Sequence, residues 1–122
     1  MSVSLASIRA EHPGIFTEGC PTRTVLDHVM GKWGILVLLA LSDGTQRWGA
    51  LRRNIDGISE KMLASTLKTL EADGLVSRTA YPEVPPRVEY SLTDRGRDLM
   101  THVIPLMGWV AENAIAIVGP RE

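Results

Sequence analysis

The sequence predicts a mostly helical α+β fold, and three observations support that prediction. Residues 59–73 repeat with the period of an amphipathic α-helix, because Leu63, Leu67 and Leu70 fall on one side. The period then changes to two across residues 76–92, which is typical of a β-hairpin. A further helical segment precedes this pair at a spacing that fits a helix-turn-helix. The expected architecture is a winged helix-turn-helix with terminal dimerisation helices.

The helix over residues 59–73 has recognisable start and stop signals. Ser59 is a suitable N-cap, and the carboxylate of Glu60 suits the positive end of the helix dipole. Gly74 is placed to end the helix in a left-handed conformation, with Leu75 touching Leu70 as in a Schellman motif. The face opposite the leucines carries short polar and cationic side chains: Lys61, Ser65 and Lys68, flanked by Met62, Thr66 and Thr69.

The predicted hairpin has two strands and a stiff connection. Residues 76–81 are rich in β-forming side chains, and residues 87–92 alternate with Val88, Tyr90 and Leu92 on one face. The loop between them, residues 82–86, contains three prolines in five positions. Such a loop is stiff and projects from the fold, as a wing does.

The first half of the chain is expected to be an arm followed by three helices. Residues 1–19 read as an arm with a short helix near residues 4–11. Pro21 follows Cys20 at the first position of a helix that ends near Gly31, and Val25, Leu26 and Val29 give that helix an apolar side.

The second of these helices is the predicted centre of the core. Residues 33–41 are almost continuously apolar, which is typical of a helix buried on nearly all sides. Residues 46–48 are predicted to form a short strand at the base of the hairpin. Residues 49–55 follow as a helix with Leu51 and Ile55 inward and Arg52 and Arg53 outward, and residues 56–58 turn into the next helix.

The last predicted helix, residues 93–119, has two apolar stripes. Thr93 is its N-cap candidate, and Pro105 is expected to kink or divide it. One stripe is expected to cover the core of its own subunit, and the other to be buried in a partner subunit. The stripe assigned to the dimer interface comprises Met100, Ile104, Met107, Ala111, Ile115 and Val118. The chain is thus divided into an arm (1–19) and one domain (20–119).

Composition limits the classes of function. The net charge is −1, and residues 47–92 carry seven cations (Arg47, Arg52, Arg53, Lys61, Lys68, Arg78, Arg87) and six anions (Asp56, Glu60, Glu71, Asp73, Glu83, Glu89), a balance of +1. This balance counts against nonspecific nucleic-acid binding as the main activity. No unbroken apolar run of about 18 residues and no signal peptide are recognisable, so a cytoplasmic protein without a membrane segment is expected.

Catalytic and metal-binding motifs are not recognisable in the sequence. There is no glycine-rich phosphate loop after a strand and no paired nucleophile and base. His12, His28 and His102 lack metal-ligand spacing with one another and with Cys20. We expect neither a cofactor, a metal nor an enzymatic activity.

Several motifs in combination resemble the HxlR-type transcriptional regulators, winged-helix proteins related to the MarR group. The matching stretches are Cys20-Pro21, Gly31-Lys32-Trp33, Arg47-Trp48, Leu51-Arg52-Arg53, residues 57–63, residues 67–75 and the wing YPEVPPRVEYSLT (81–93), with Gly96 after it. The resemblance spans residues 20–110. It implies a homodimer that binds palindromic operator DNA, dimerises through its terminal helices and represses or activates transcription. Trp48 stands where such proteins more often carry phenylalanine.

Within this resemblance the expected DNA contacts lie on the two helices and the wing. They are Arg52, Arg53, Ser59, Lys61, Met62, Ser65, Thr66, Lys68, Thr69, Arg78 and Arg87. The alternative for the helix face is an ordinary solvated surface, and for Arg87 it is a pair with a neighbouring carboxylate such as Glu89. A protein-interaction module that uses the same winged-helix face is the competing class of function.

Cys20 has two open interpretations. At a helix start its thiolate is favoured by the dipole, which suits a sensor of oxidants or electrophiles. HxlR-type proteins include some that sense such stress through a cysteine at the matching position. The alternative is a small packed side chain. Because the chain has one cysteine, a disulfide joins two subunits or recruits a small thiol.

Overall fold

The computed structural model describes residues 3–120, which form six helices and one three-stranded sheet. The elements are α1 (Leu5–Glu11), α2 (Pro21–Met30), α3 (Lys32–Leu41), β1 (Gln46–Arg47), α4 (Trp48–Asn54), α5 (Glu60–Ala72), β2 (Val76–Tyr81), β3 (Arg87–Leu92) and α6 (Asp94–Val118). The sheet is antiparallel with the order β1-β3-β2. The predicted winged helix-turn-helix is therefore confirmed.

The core lies around α3, as its apolar sequence predicts. Val37, Leu38 and Leu41 are buried, and they pack in one cluster with the leucine stripe of α5. Leu63, Leu67 and Leu70 are at most 2% exposed, which fixes the rotation of α5 about its axis. Burial of this stripe leaves the opposite face of α5 in solvent.

Both ends of α5 are closed by the caps that the sequence predicts. The Ser59 hydroxyl accepts a hydrogen bond from the Met62 N–H at 3.0 Å. At the other end the Leu75 N–H donates to the Leu70 carbonyl at 3.0 Å, and the Gly74 N–H donates to the Glu71 carbonyl at 3.0 Å. This is a Schellman ending, and Gly74 has the left-handed φ of 76° that it requires.

The hairpin pairs Val76 with Leu92 at its base and Tyr81 with Arg87 next to the loop. The short strand β1 pairs Gln46 with Tyr90. The predicted strand extended to Trp48, whereas in the structure Trp48 is the first residue of α4.

Helix α2 begins at Pro21 as predicted, but its apolar side is only partly covered. Val29 is buried, whereas Val25 and Leu26 are 50% and 55% exposed. The predicted apolar side is therefore present, but only Val29 on it is packed into the core. The reason is that α3 occupies the centre and contacts α2 along one edge, which leaves the other edge open.

Helix α6 starts at Thr93, whose hydroxyl accepts from the Gly96 N–H at 3.0 Å. It runs without interruption through Pro105, so of the two alternatives predicted for this residue the division of the helix is wrong, whereas the kink stays a prediction. Proline removes one backbone donor, and the helical hydrogen bonds on both sides are sufficient to continue the helix.

The division of α6 into one core stripe and one partner stripe is also wrong. Met100, assigned to the dimer interface, is 2% exposed in the core of its own chain, and Met107 packs against that core. Val103, from the other stripe, is 4% exposed. The core meets the seam between the two stripes, so apolar side chains remain exposed on both flanks. Four residues of the stripe assigned to the dimer interface are exposed in this chain: Ile104, Ala111, Ile115 and Val118.

By length and composition α6 is long and apolar enough to cross a membrane. Helices α2 and α3 taken together would also be long and apolar enough, but a bend of 67° separates them. One such helix is weak evidence, because helices that bury apolar faces in proteins meet the same criterion. The absence of a membrane segment stays a prediction.

Candidate nucleic-acid interface

The helix-turn-helix is formed by α4, the turn over residues 55–59, and α5. Ile55 and Ile58 are buried in the turn and attach it to the core. Gly57 lies between them with a φ of 82°, a backbone conformation that glycine adopts without strain. At the start of α5 the Arg52 guanidinium donates to the Glu60 carboxylate at 3.2 Å. The turn and this ion pair hold the N-terminal end of α5 against α4.

The outward face of α5 presents the side chains that the helical period predicts. Lys61, Ser65 and Lys68 are exposed on it, and Met62 is 40% exposed beside them. Thr66 and Thr69 lie at the border of the face and are half-buried. Among residues 3–120, neither lysine takes part in an ion pair. The face therefore carries two cations without local compensation.

The other predicted cations differ in their surroundings. Arg53 and Arg78 are exposed and make no ion pair within the described part of the chain. Arg52 is also exposed, but its charge is compensated by Glu60. The structure thus brings α4 and α5 together, with one paired and one unpaired arginine on α4.

Arg87 is enclosed by its own hairpin. Its guanidinium lies 3.3 Å from the Glu83 carboxylate and 3.6 Å from that of Glu89, and it stacks over the Tyr81 ring at 4.0 Å. The side chain is 27% exposed, and its Nε has no hydrogen-bond partner. The pairing with Glu89 is the alternative that the sequence left open. Sequence reasoning missed Glu83 and Tyr81, although Tyr81 is the direct cross-strand neighbour of Arg87.

The tip of the wing is apolar rather than basic. Val84 is fully exposed between Pro82 and Pro86, and the nearest charge in the loop is the acidic Glu83. The surface from α5 to the wing is therefore mixed in charge, with its uncompensated cations concentrated on α5 and at Arg53 and Arg78.

Cys20 lies immediately before α2, half-buried, as its N-cap residue. The pKa of its thiol is lowered, first because the backbone N–H of Thr22 favours the thiolate, and next because the Thr22 hydroxyl does so. Burial opposes this effect, and the positive charge of Arg23 adds to it weakly. The pKa shift therefore has the direction that the sequence analysis expects for a cysteine at a helix start.

A groove of about 510 Å³ runs between α2 and α6, away from α5. Its lining is almost entirely apolar: Pro21, Thr22, Val25, Leu26, Val29, Met30, Leu99 and Val103. The exposed edge of α2 and one flank of α6 therefore form one continuous apolar surface.

Across residues 3–120, no three His, Cys, Asp or Glu side chains are grouped closely enough to hold a metal ion. Within the same residues no polar or charged side chain is fully buried. What the geometry offers is a helix-turn-helix with an exposed cationic face and an adjoining wing, and this defines a winged helix-turn-helix DNA-binding protein.

Comparison with known proteins identifies the family. The model of the HxlR-like helix-turn-helix family matches residues 28–117. The HTH-type transcriptional regulator YtfH of Escherichia coli (strain K12) is 46% identical over 122 residues, which cover 100% of this chain and 97% of the relative. The protein belongs to the HxlR family and is a transcriptional regulator of the helix-turn-helix type.

Solved structures agree with this assignment. The transcriptional regulator ytfH from Salmonella typhimurium superposes with a TM-score of 0.80 at 50% identity, covering 84% of this chain and 92% of that one. The redox regulator HypR in its oxidized form superposes with a TM-score of 0.71 at 41% identity, covering 77% of this chain and 97% of that one.

Proposed function

We propose that the protein is a homodimer whose two α5 helices enter successive major grooves of an inverted-repeat operator. The observation that carries this proposal is the exposed face of α5, which presents Lys61, Ser65 and Lys68. Within residues 3–120 neither lysine forms an ion pair. The proposed contacts are Arg52, Arg53, Ser59, Lys61, Met62, Ser65, Thr66, Lys68, Thr69, Arg78 and Arg87. A regulator that acts on the chromosome belongs in the cytoplasm.

The side chains on α5 suit different parts of the groove. Lysine ammonium groups donate to the guanine O6 and N7 acceptors or to phosphates. The Ser65 hydroxyl donates or accepts, and the exposed Met62 side chain suits the methyl group of thymine. Thr66 and Thr69, at the border of the face, suit the sugar-phosphate backbone. Base readout is therefore assigned to the centre of the face and positioning to its edges.

Three of the proposed residues already have hydrogen-bond or ion-pair partners within the chain. The Ser59 hydroxyl is occupied as the N-cap of α5, and Arg52 is paired with Glu60. Arg87 reaches a phosphate only by exchanging its contact with Glu83, so its net contribution is smaller than that of an uncompensated cation. Arg53 and Arg78 are the stronger candidates for phosphate contacts.

The homodimer is proposed from the apolar surface that a single chain leaves open. Ile115, Ile117 and Val118 are 69%, 65% and 53% exposed at the end of α6, and the groove between α2 and α6 is open as well. Patches of this kind mark interfaces between subunits. We assign Ile104, Met107, Ala111, Ile115 and Val118 to the interface together with the exposed edge of α2; Met100 is excluded because it is buried in its own chain.

The operator prediction is tested by selecting bound sequences from random DNA duplexes. We expect enrichment of an inverted repeat whose half-sites are about 34 Å apart, one helical turn. Affinity should fall steeply with salt, because each phosphate contact releases counterions. A selection at moderate salt that enriches no inverted repeat contradicts the proposal.

The dimer prediction is tested by placing a charge on the exposed flank of α6. Ile115→Glu should shift the protein from dimer to monomer in analytical ultracentrifugation, because the dimer would have to bury an unpaired carboxylate. Ala116→Glu introduces the same charge one residue away on the face turned from the core, and it should leave the dimer intact. Equal sedimentation of the two variants would exclude this interface.

Redox regulation through Cys20 is a second element of the proposal. The lowered pKa of its thiol and the similarity to HypR, a redox regulator, support it. Treatment with hydrogen peroxide and glutathione is expected to oxidise the thiolate to a sulfenic acid, which then condenses with the glutathione thiol and loses water. Operator affinity should change after this treatment in the natural protein and stay constant in Cys20→Ser.

The pH dependence of Cys20 follows from the direction of its pKa shift. Because the pKa is lowered in the folded chain, the thiolate persists to lower pH there than in the unfolded chain. Iodoacetamide should therefore alkylate Cys20 faster in the folded protein than in denatured protein near pH 7. The gain is smaller than the ratio of thiolate fractions, since nucleophilicity falls with the pKa. A slower reaction in the folded state would identify Cys20 as a packed structural thiol.

A further inference from the structure

Two hydrogen-bonded contacts attach the C-terminal end of α5 to the helices of the proposed dimer surface. The Nδ1–H of His28, in the last turn of α2, donates to the Asp73 carboxylate at 2.8 Å. The Thr93 hydroxyl, at the start of α6, donates to the Gly74 carbonyl at 2.6 Å, and the Thr93 N–H donates to the Leu75 carbonyl at 3.0 Å. We call residues 73–75 the junction, because α2, α5 and α6 meet there.

The two ends of α5 are thus held by different partners. The N-terminal end is paired with α4 through Arg52 and Glu60, within the helix-turn-helix itself. The C-terminal end is paired with α2 through a contact between residues 45 positions apart. Packing of the leucine stripe fixes the rotation of α5 about its axis. Hydrogen bonds at the two ends add directional contacts that constrain its tilt.

The backbone at His28 is itself fixed. A Cβ atom placed on Gly34 of α3 would lie 2.0 Å from the His28 carbonyl oxygen, so α2 and α3 are in direct backbone contact there. The imidazole is 32% exposed and the Asp73 side chain 20% exposed, which shields the pair partly from water. An anchored donor and a partly buried acceptor make a contact with one preferred geometry.

We propose that His28 is a positioning residue that sets the separation and tilt of the two α5 helices in the dimer. The exposed edge of α2, at Val25 and Leu26, belongs to the proposed interface, whereas His28 on the same helix holds the end of α5. Helix α2 therefore connects α5 to the partner subunit, and the contact between His28 and Asp73 is part of that connection. The proposal rests on the proposed homodimer and adds a determinant of operator spacing.

The test compares affinities for operators of different spacing. The inverted repeat selected by the natural protein is used together with versions that have one base pair added or removed at the centre, which changes the half-site separation by about 3.4 Å. Binding is measured by fluorescence anisotropy for the natural protein, His28→Ala, His28→Gln and Asp73→Ala. His12→Ala serves as a matched control, because it removes an exposed histidine in the arm.

We expect His28→Ala and Asp73→Ala each to lower affinity for the selected operator by about 3- to 10-fold and to reduce the preference for its spacing. The variant carrying both changes should be no weaker than either alone, because the same contact is lost. His28→Gln keeps a side-chain donor and should retain most of the spacing preference. His12→Ala should behave as the natural protein does.

The outcomes separate this inference from the proposed function. If the natural protein selects no inverted repeat, the proposed function fails and the inference fails with it. If it selects one, and His28→Ala and Asp73→Ala remain dimers with unchanged affinity and spacing preference, only the positioning role of His28 is overturned. Should His28→Ala not fold, Asp73→Ala removes the same contact from the other side and is compared with His28→Gln.

Discussion

Reversing the charge of both lysines on α5, with Lys61→Glu and Lys68→Glu in one chain, is expected to lower operator affinity by at least about 100-fold. Each subunit loses two cations from the proposed groove face and gains two anions there, so a dimer changes by eight charges. Both side chains are exposed and make no ion pair within residues 3–120, so their replacement leaves no buried partner uncompensated. Folding stability should therefore change little. Anisotropy titrations at several salt concentrations measure the loss.

A matched double variant separates local from global charge. Arg9→Glu with Arg95→Glu makes the same change in net charge at exposed positions of α1 and α6, outside the helix-turn-helix and the hairpin. It should weaken binding far less than the α5 variant and leave the salt dependence nearly unchanged. If both double variants lose affinity equally, the net charge of the protein rather than the face of α5 governs binding.

Local sequence rules predicted α5 and the hairpin well because the relevant interactions are local. Ser59 caps a residue three positions later, and Gly74 ends the helix through bonds to the preceding turn. The leucine stripe follows from helical geometry alone, and the alternation in β3 follows from strand geometry. Such features need no knowledge of the rest of the fold.

The features that sequence reasoning missed depend on how elements meet. Met100 and Ile104 lie on the same predicted stripe, yet one is buried in its own chain and the other is 49% exposed. The difference arises from the direction in which α6 approaches the core, which no periodicity contains. The contact between His28 and Asp73 spans 45 positions and follows only from the packing of α2 beside α5.

Arg87 shows why charge counting along a sequence is insufficient for a binding surface. The count over residues 47–92 gave a balance of +1, but it did not show which cations are compensated. In the structure Arg52 and Arg87 are paired with carboxylates, whereas Lys61 and Lys68 are outside all ion pairs of the described chain. The specificity of DNA binding is therefore expected to depend on α5 more than on Arg87 in the hairpin.

Gly34→Ala is expected to destabilise the fold strongly. The new Cβ would lie 2.0 Å from the His28 carbonyl oxygen and 3.2 Å from its carbon, and both are backbone atoms at the end of α2. No side-chain rotation relieves this overlap, so α2 and α3 must separate and uncover part of the core. We expect a loss of at least about 3 kcal/mol in the free energy of unfolding, at the upper end of overpacking effects.

Gly108→Ala provides the matched control for this prediction. Gly108 also lies inside a helix, but a Cβ at that position meets nothing within 4 Å. Its replacement should be neutral or stabilise the chain by up to about 1 kcal/mol, because alanine favours the helical conformation. Urea unfolding of both variants is compared at one protein concentration, since dimer formation makes stability depend on concentration. Equal midpoints for Gly34→Ala and the natural protein would contradict the close contact between α2 and α3 and, with it, the anchoring of His28.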